Sequence, residues 1–161
     1  MKTRLLLLVA SACAVALAQT PAAGQRQQPV HHNFKLVAMG RAAPPKGATE
    51  ASVHSYESED GTAVVQLREW YKSASDARSG LDTLTKKASR VTKQGTKKGE
   101  KGRIVGKRVE LIFNHGHKAS LEMVIAWTDG TTVVDLSPTS LPLLLDFESQ
   151  YYPGNSETTR K

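Results

Sequence analysis

The sequence predicts an α+β domain. The expected architecture is a mostly antiparallel sheet of about five strands, in the order β-β-α-β-β-β-α, with two helices packed on one face. Three observations carry this expectation. Asp60-Gly61 separates the strand-like runs 51–58 and 62–72, and Asp129-Gly130 separates two more; such dipeptides supply the positive φ of a hairpin turn. Ala77, Leu81, Leu84, Ala88 and Val91 recur at steps of four, three, four and three, which makes one helical stripe. Pro138, Ser140 and Pro142 open a second helix with a broad apolar face. Hairpins and a meander give antiparallel neighbours, and two helices laid on that sheet give two layers.

The elements follow in chain order. Lys2 and Arg4 precede an apolar stretch from Leu5 to Leu17 broken only by Ser11, and Ala16-Leu17-Ala18 offers a small-x-small cleavage pattern. Residues 1–18 therefore read as an export signal. This stretch of thirteen residues falls short of the roughly 20 that a spanning helix needs. Cys13 follows Ala10-Ser11-Ala12 without the Leu that a lipoprotein box carries three residues before its Cys, which speaks against lipid attachment. Residues 19–49 read as a disordered lead-in and a Pro/Gly linker, with the composition of a short strand at 34–39. The domain proper is expected from residue 50 to 152, with a polar tail at 153–161.

Within it, Ala63, Val65, Leu67 and Tyr71 share one face of the second strand, while the register of that hairpin stays open between two- and three-residue loops. Ser73 with Asp76 forms a capping box, with Ser75 as a rival cap, and the helix is expected to end near Thr92 to Gly95. Residues 93–106 read as a flexible Lys/Gly-rich loop that closes into a strand at Ile104-Val105. In the meander, Val109, Leu111 and Phe113 share a face. Asn114 to Lys118 turn the chain, and Leu121, Met123, Ile125 and Trp127 face the core. A two-residue turn at Asp129-Gly130 sets Ile125 opposite Val134 and Met123 opposite Leu136. A three-residue loop in the preceding hairpin sets Leu111 opposite Leu121 and Val109 opposite Met123. Leu141, Leu144, Leu145, Phe147 and Tyr151 give the last helix its apolar face, and Pro153-Gly154 stops it.

Composition narrows the function classes. The only cysteine lies in the export signal, so the exported chain has neither a disulfide nor a thiol nucleophile. This fits a bacterial periplasmic or secreted protein held by packing alone. The net charge of +7 is unevenly spread: residues 86–108 hold ten basic side chains against Glu100 alone. Lys86, Lys87, Arg90, Lys93, Lys97, Lys98, Lys101 and Arg103 are the candidate anion-binding residues, facing an anionic surface or polymer of the cell envelope. Such binding would fall steeply with salt. The window lacks Phe, Trp and Tyr, so no stacking platform accompanies the charge, and export argues against genomic DNA. A solvated, solubilising face is the plain reading of the same residues.

Other chemistry has weaker support. His115 and His117 flank Gly116 and His31-His32 stands in the lead-in, without the third and fourth converging ligands of a zinc site, so no metal and no cofactor is expected. No G-x-S-x-G elbow and no phosphate loop occurs, and no catalytic residue is assigned. The leading reading is an exported, non-enzymatic binding or structural domain. Two other classes stay open: a small-ligand binder with a cleft at Trp70 and Tyr71, and a hydrolase with an unrecognised site.

Overall fold

The strand Leu121–Asp129 is buried from Val124 through Thr128 without a break. Side chains alternate along a strand, so a run of this kind needs cover on both faces of the sheet. The computed structural model, which describes residues 32–114, 121–137 and 140–152, supplies that cover. Its strands are β1 (Phe34–Arg41), β2 (Ala48–Ser58), β3 (Ala63–Tyr71), β4 (Arg90–Lys98), β5 (Ile104–Asn114), β6 (Leu121–Asp129) and β7 (Thr132–Ser137). They form one antiparallel sheet in the order β1-β2-β3-β7-β6-β5-β4. Helix α1 (Ala74–Lys87) follows β3, and α2 (Leu141–Tyr151) follows β7.

The two helices lie on opposite faces. Ile125 and Trp127 of β6 pack with Val64, Val134 and Leu136 under Leu143, Leu144 and Phe147 of α2. Their neighbours Val124 and Ala126 pack with Val109, Leu111, Val133 and Tyr71 under Ala77 and Leu81 of α1. The expectation of both helices on one face is thus corrected to three layers, helix–sheet–helix, and the count of about five strands becomes seven. The physical reason is the unbroken apolar run Met123–Trp127, which no single layer of helices covers.

Local chemistry explains most element ends. Glu59, Asp60 and Gly61 make a three-residue hairpin loop: Gly61 N–H donates to Ser58 O at 2.9 Å, and Gly61 has φ +79°. The Asp60 carboxylate accepts from the Ser58 hydroxyl and from Thr62 N–H, which hold its pKa down to about 2. Ser73 caps α1 as expected, accepting from Asp76 N–H at 3.1 Å and donating to the Asp76 carboxylate. Gly80 costs helix propensity, yet a Cβ there would land on the Tyr71 ring and hydroxyl; the glycine lets α1 lie close to the sheet. Ser140 stands at the start of α2 as expected, but its side chain makes no capping hydrogen bond; Leu144 N–H donates to its carbonyl.

Several expectations are corrected. Helix α1 stops at Lys87 rather than near Thr92 to Gly95, and the stretch 93–106 is the end of β4, a tight turn at Glu100–Gly102 and the start of β5. The short strand expected at 34–39 is β1, which runs on to Arg41, so the sheet starts before residue 50. In the β6–β7 hairpin, Asp129 pairs with Thr132, so Gly130 (φ +59°) and Thr131 form the loop and Ile125 faces Leu136. That is a slip of two residues, which keeps every face. In β5–β6, Leu111 pairs with Val124 and Val109 with Ala126. The expected pairing was three residues off, and an odd slip moves every side chain to the other face. On β3, Val64 and Gln66 join the α2 face, while Val65, Leu67 and Tyr71 share the α1 face.

Candidate functional site

Six of the eight basic residues singled out in the sequence stand exposed along β4, the edge strand of the sheet, or at its two ends. β4 pairs only with β5 among the described residues, so its outer side is open. Lys86 and Lys87 close the last turn of α1, Arg90 and Lys93 stand on β4, and at the far end Lys101 stands in the tight turn with Arg103 just after it. These six are exposed. At a rise of about 3.3 Å per residue, β4 alone extends the row over about 26 Å. Lys101 has φ +60°, left-handed for a residue with a Cβ, and Gly99 N–H closes the turn onto Arg103 O at 2.8 Å. Lys98 is half-buried and makes other interactions.

Lys97 does not belong to this surface. It is 3% exposed and points under α2, where its ammonium donates to Glu148 at 3.2 Å and lies 4.4 Å from the centroid of the Trp127 ring. It also approaches the carbonyl of Tyr152 at the C-terminus of α2, where a cation meets the negative end of the helix dipole. Burial lowers its pKa, against the opposing pull of Glu148.

Lys97 is one corner of a buried ionic cluster that lies outside the sequence-based expectations. The Arg108 guanidinium donates from Nε and Nη2 to the Glu148 carboxylate, at 2.7 Å for the shorter pair, and from Nη1 to Glu110 at 2.7 Å. Burial works against the Arg108 charge, but its bonds to Glu148 and Glu110 outweigh it and raise the pKa. Beside this cluster Gln66 and Arg68 of β3 both donate to the Tyr152 hydroxyl, and Arg68 donates to Gln66 Oε1 at 3.0 Å. Two cations meet two carboxylates here, so the cluster is neutral as a whole. Its chemistry is that of a clasp between α2 and the sheet.

Trp70 and Tyr71 do not line a common cleft. They are consecutive residues of a strand and so point to opposite faces. Tyr71 is buried under α1 and donates to Glu69 at 2.7 Å, and burial raises its pKa. Trp70 is half-buried on the α2 side, and Thr49 donates to its carbonyl. Of the histidines, His32 N–H and Nδ1 meet the Asp146 carboxylate, tying the entry of the chain to α2. His31, His115 and His117 lie outside the described residues, as do residues 1–18, expected as an export signal, Pro138 and the tail 153–161. Among the described residues no three His, Cys, Asp or Glu side chains converge to hold a metal, and no helix is long and apolar enough to cross a membrane.

Comparison with family models, with curated proteins and with solved structures gave no match for this chain. The site is therefore read from its own residues.

One further group was invisible in the sequence. Asp135 on β7 stands opposite Leu67 on one side and Ala126 on the other, on the α1 face. Burial pushes its carboxyl up to about 7, and the charges of Glu69 and Glu122 push the same way. Glu69 is itself raised by burial, against its bond from Tyr71 and the nearby charge of Lys87. A carboxyl whose folded pKa exceeds its unfolded value favours the neutral form in the fold. Its contribution is therefore lost as the pH rises from about 4 toward 7 and above. Asp135→Asn is expected to stabilise the protein by about 1–2 kcal/mol near pH 8, allowing for solvent screening at a partly exposed group, and by little near pH 4. Urea titrations of both proteins at the two pH values check this; an equal difference at both would assign the effect to packing.

Proposed function

We propose that this chain works outside the cytoplasm as a non-catalytic binding domain whose basic sheet edge lies along an anionic polymer of the cell envelope. The observation that carries the reading is the row of six exposed cations, Lys86, Lys87, Arg90, Lys93, Lys101 and Arg103, along β4 and its two ends. The export signal supports the compartment. The mechanism is counterion release, in which each neutralised anion on the polymer frees a condensed cation. The row has no aromatic side chain, so it selects for charge density and linear extent and not for bases or rings. The rigid β4 frame, in place of a mobile loop, holds the charges at set spacings and lowers the entropy lost on binding.

Edge lysines also serve a second purpose, since charges on an open strand deter pairing with other sheets. A binding measurement separates the two roles. The purified protein is expected to bind linear polyphosphate, with affinity falling by several hundredfold or more between about 50 and 200 mM salt if six charges are neutralised. The variant Arg90→Gln, Lys93→Gln, Arg103→Gln is expected to bind more weakly and with a shallower salt slope. All three residues are exposed, so the fold should survive the changes. Absence of binding at low salt would reduce the row to edge protection. Lys97 is unsuitable for such a variant, because its removal disturbs the clasp under α2.

A further inference from the structure

The opposite edge of the sheet has the reverse character. β1 pairs only with β2 among the described residues, and every residue from Lys35 to Arg41 is exposed. Leu36, Val37 and Met39 are 45%, 51% and 71% exposed. No charge lies between Lys35 and Arg41. A long apolar edge with unpaired N–H and C=O groups is a template for strand addition. β4 has its lysines against this, whereas β1 has none in its middle.

We infer that β1 is a self-association edge, and that its occupant is β1 of a second copy of this chain, paired antiparallel about a two-fold axis between Val37 and Ala38. The register argument is specific. In an antiparallel pair directly opposite residues share a face, and a regular strand paired with itself meets this condition only when the axis passes through a residue. β1 is not regular. Leu36 pairs with Tyr56 and Ala38 with Ser55, so Val37 is an extra residue in a bulge. The bulge shifts the alternation by one. Leu36 and Met39 consequently share the α2 face, since their partners Tyr56 and His54 are two apart on β2, while Lys35 and Gly40 share the other face with Glu57 and Val53.

An axis between Val37 and Ala38 then sets Leu36 against Met39 of the second copy, Lys35 against Gly40, and Phe34 against Arg41. Apolar meets apolar, no like charges face each other, and a guanidinium meets an aromatic ring. Moving the axis onto Ala38 would place Lys35 against Arg41, a like-charge pair. The interface is isologous and closes at two copies. It joins two seven-stranded sheets through their apolar edges and leaves the two basic β4 edges at the outer ends.

Sedimentation equilibrium of the purified protein tests this, alongside Val37→Lys and Met39→Lys. Both side chains are exposed and belong to neither hydrophobic cluster, so the monomer fold is expected to be unaffected. A dimer is expected for the parent chain, with dissociation at least tenfold stronger in each variant, because two buried ammonium groups enter every interface. Leu36→Cys combined with Met39→Cys is expected to give an oxidised covalent dimer, and Lys35→Cys combined with Met39→Cys a far lower yield. A parent chain that stays monomeric overturns the inference and means that the Val37 bulge closes the edge. A dimer indifferent to both lysines, or cross-linked equally by both cysteine pairs, also overturns it.

Discussion

Arg108→Met is expected to lower the free energy of unfolding by about 3–5 kcal/mol, the cost of breaking a buried ionic cluster from one side. Arg108 is the only residue of the cluster that bonds both carboxylates, reaching Glu148 with two nitrogens and Glu110 with the third. Without it, Lys97 still reaches Glu148, but its ammonium has no bond to Glu110 in the present geometry. Glu110 and Glu148 are 6% and 2% exposed, so water reaches neither carboxylate freely. Lys97→Met is expected to cost less, about 1–2 kcal/mol, because Glu148 keeps its paired bonds to Arg108 and the Met stem still fills the space beside Trp127. Urea titrations with unchanged slope read both differences. If Arg108→Met cost less than about 1 kcal/mol, the carboxylates would be solvated in the folded state and the clasp would hold little.

Gly106→Ala is expected to cost about 3 kcal/mol, while Gly95→Ala, the same chemical change nearby, is expected to stay within about 0.5 kcal/mol of the parent. A Cβ at position 106 would overlap the backbone carbonyl oxygen of Thr128 and crowd its hydroxyl. That hydroxyl accepts from Lys107 N–H at 3.0 Å, so β5 and β6 are held together where the methyl would enter. Neither backbone can give way without breaking that bond. At Gly95 a Cβ meets nothing within 4 Å. Paired thermal or urea unfolding of the two variants measures the close approach directly. Equal effects at the two positions would show that the strands separate to admit the methyl.

Both glycines came from a stretch that the sequence presents as a loop. Gly95, Gly99, Gly102 and Gly106 stand among lysines, and Arg90–Lys98 offers only Val91, Thr92 and Thr96 as strand-favouring residues. Local preference points away from a strand there. Pairing with β5 overrides it, since β5 pairs with β4 from Ile104 to Ile112 on that side, with bulges at Thr92 and Val105. The same override explains Lys97. Nothing within a few residues of it distinguishes it from Lys93 or Lys98, and only α2 lying overhead turns its site into an interior.

Some of the missed features did have a signal. Glu148 falls four residues after Leu144 and seven after Leu141, on the apolar stripe of α2, so a buried carboxylate was legible from helical periodicity. The unbroken apolar run in β6 likewise marks a strand covered on both faces. Arg108 and Glu110 had no such mark. They alternate with Val109 and Leu111 in the pattern of an outward-facing strand, and the cover that buries them comes from a helix some forty residues later.

By itself the sequence determined what short-range chemistry decides. The hairpin after β2 follows from Asp60-Gly61, the start of α1 from Ser73 and Asp76, the start of α2 from Ser140 and Pro142, and the core place of Trp127 from its apolar run. The α+β class follows from those elements together. Tertiary structure alone decided that β4 is a strand, that the helices take opposite faces, that Lys97 is sealed under α2 while its neighbours line an edge, and that β1 is the other edge. The division has one physical reason. Turns and caps are satisfied within a few residues, whereas burial and strand pairing depend on what arrives from elsewhere in the chain.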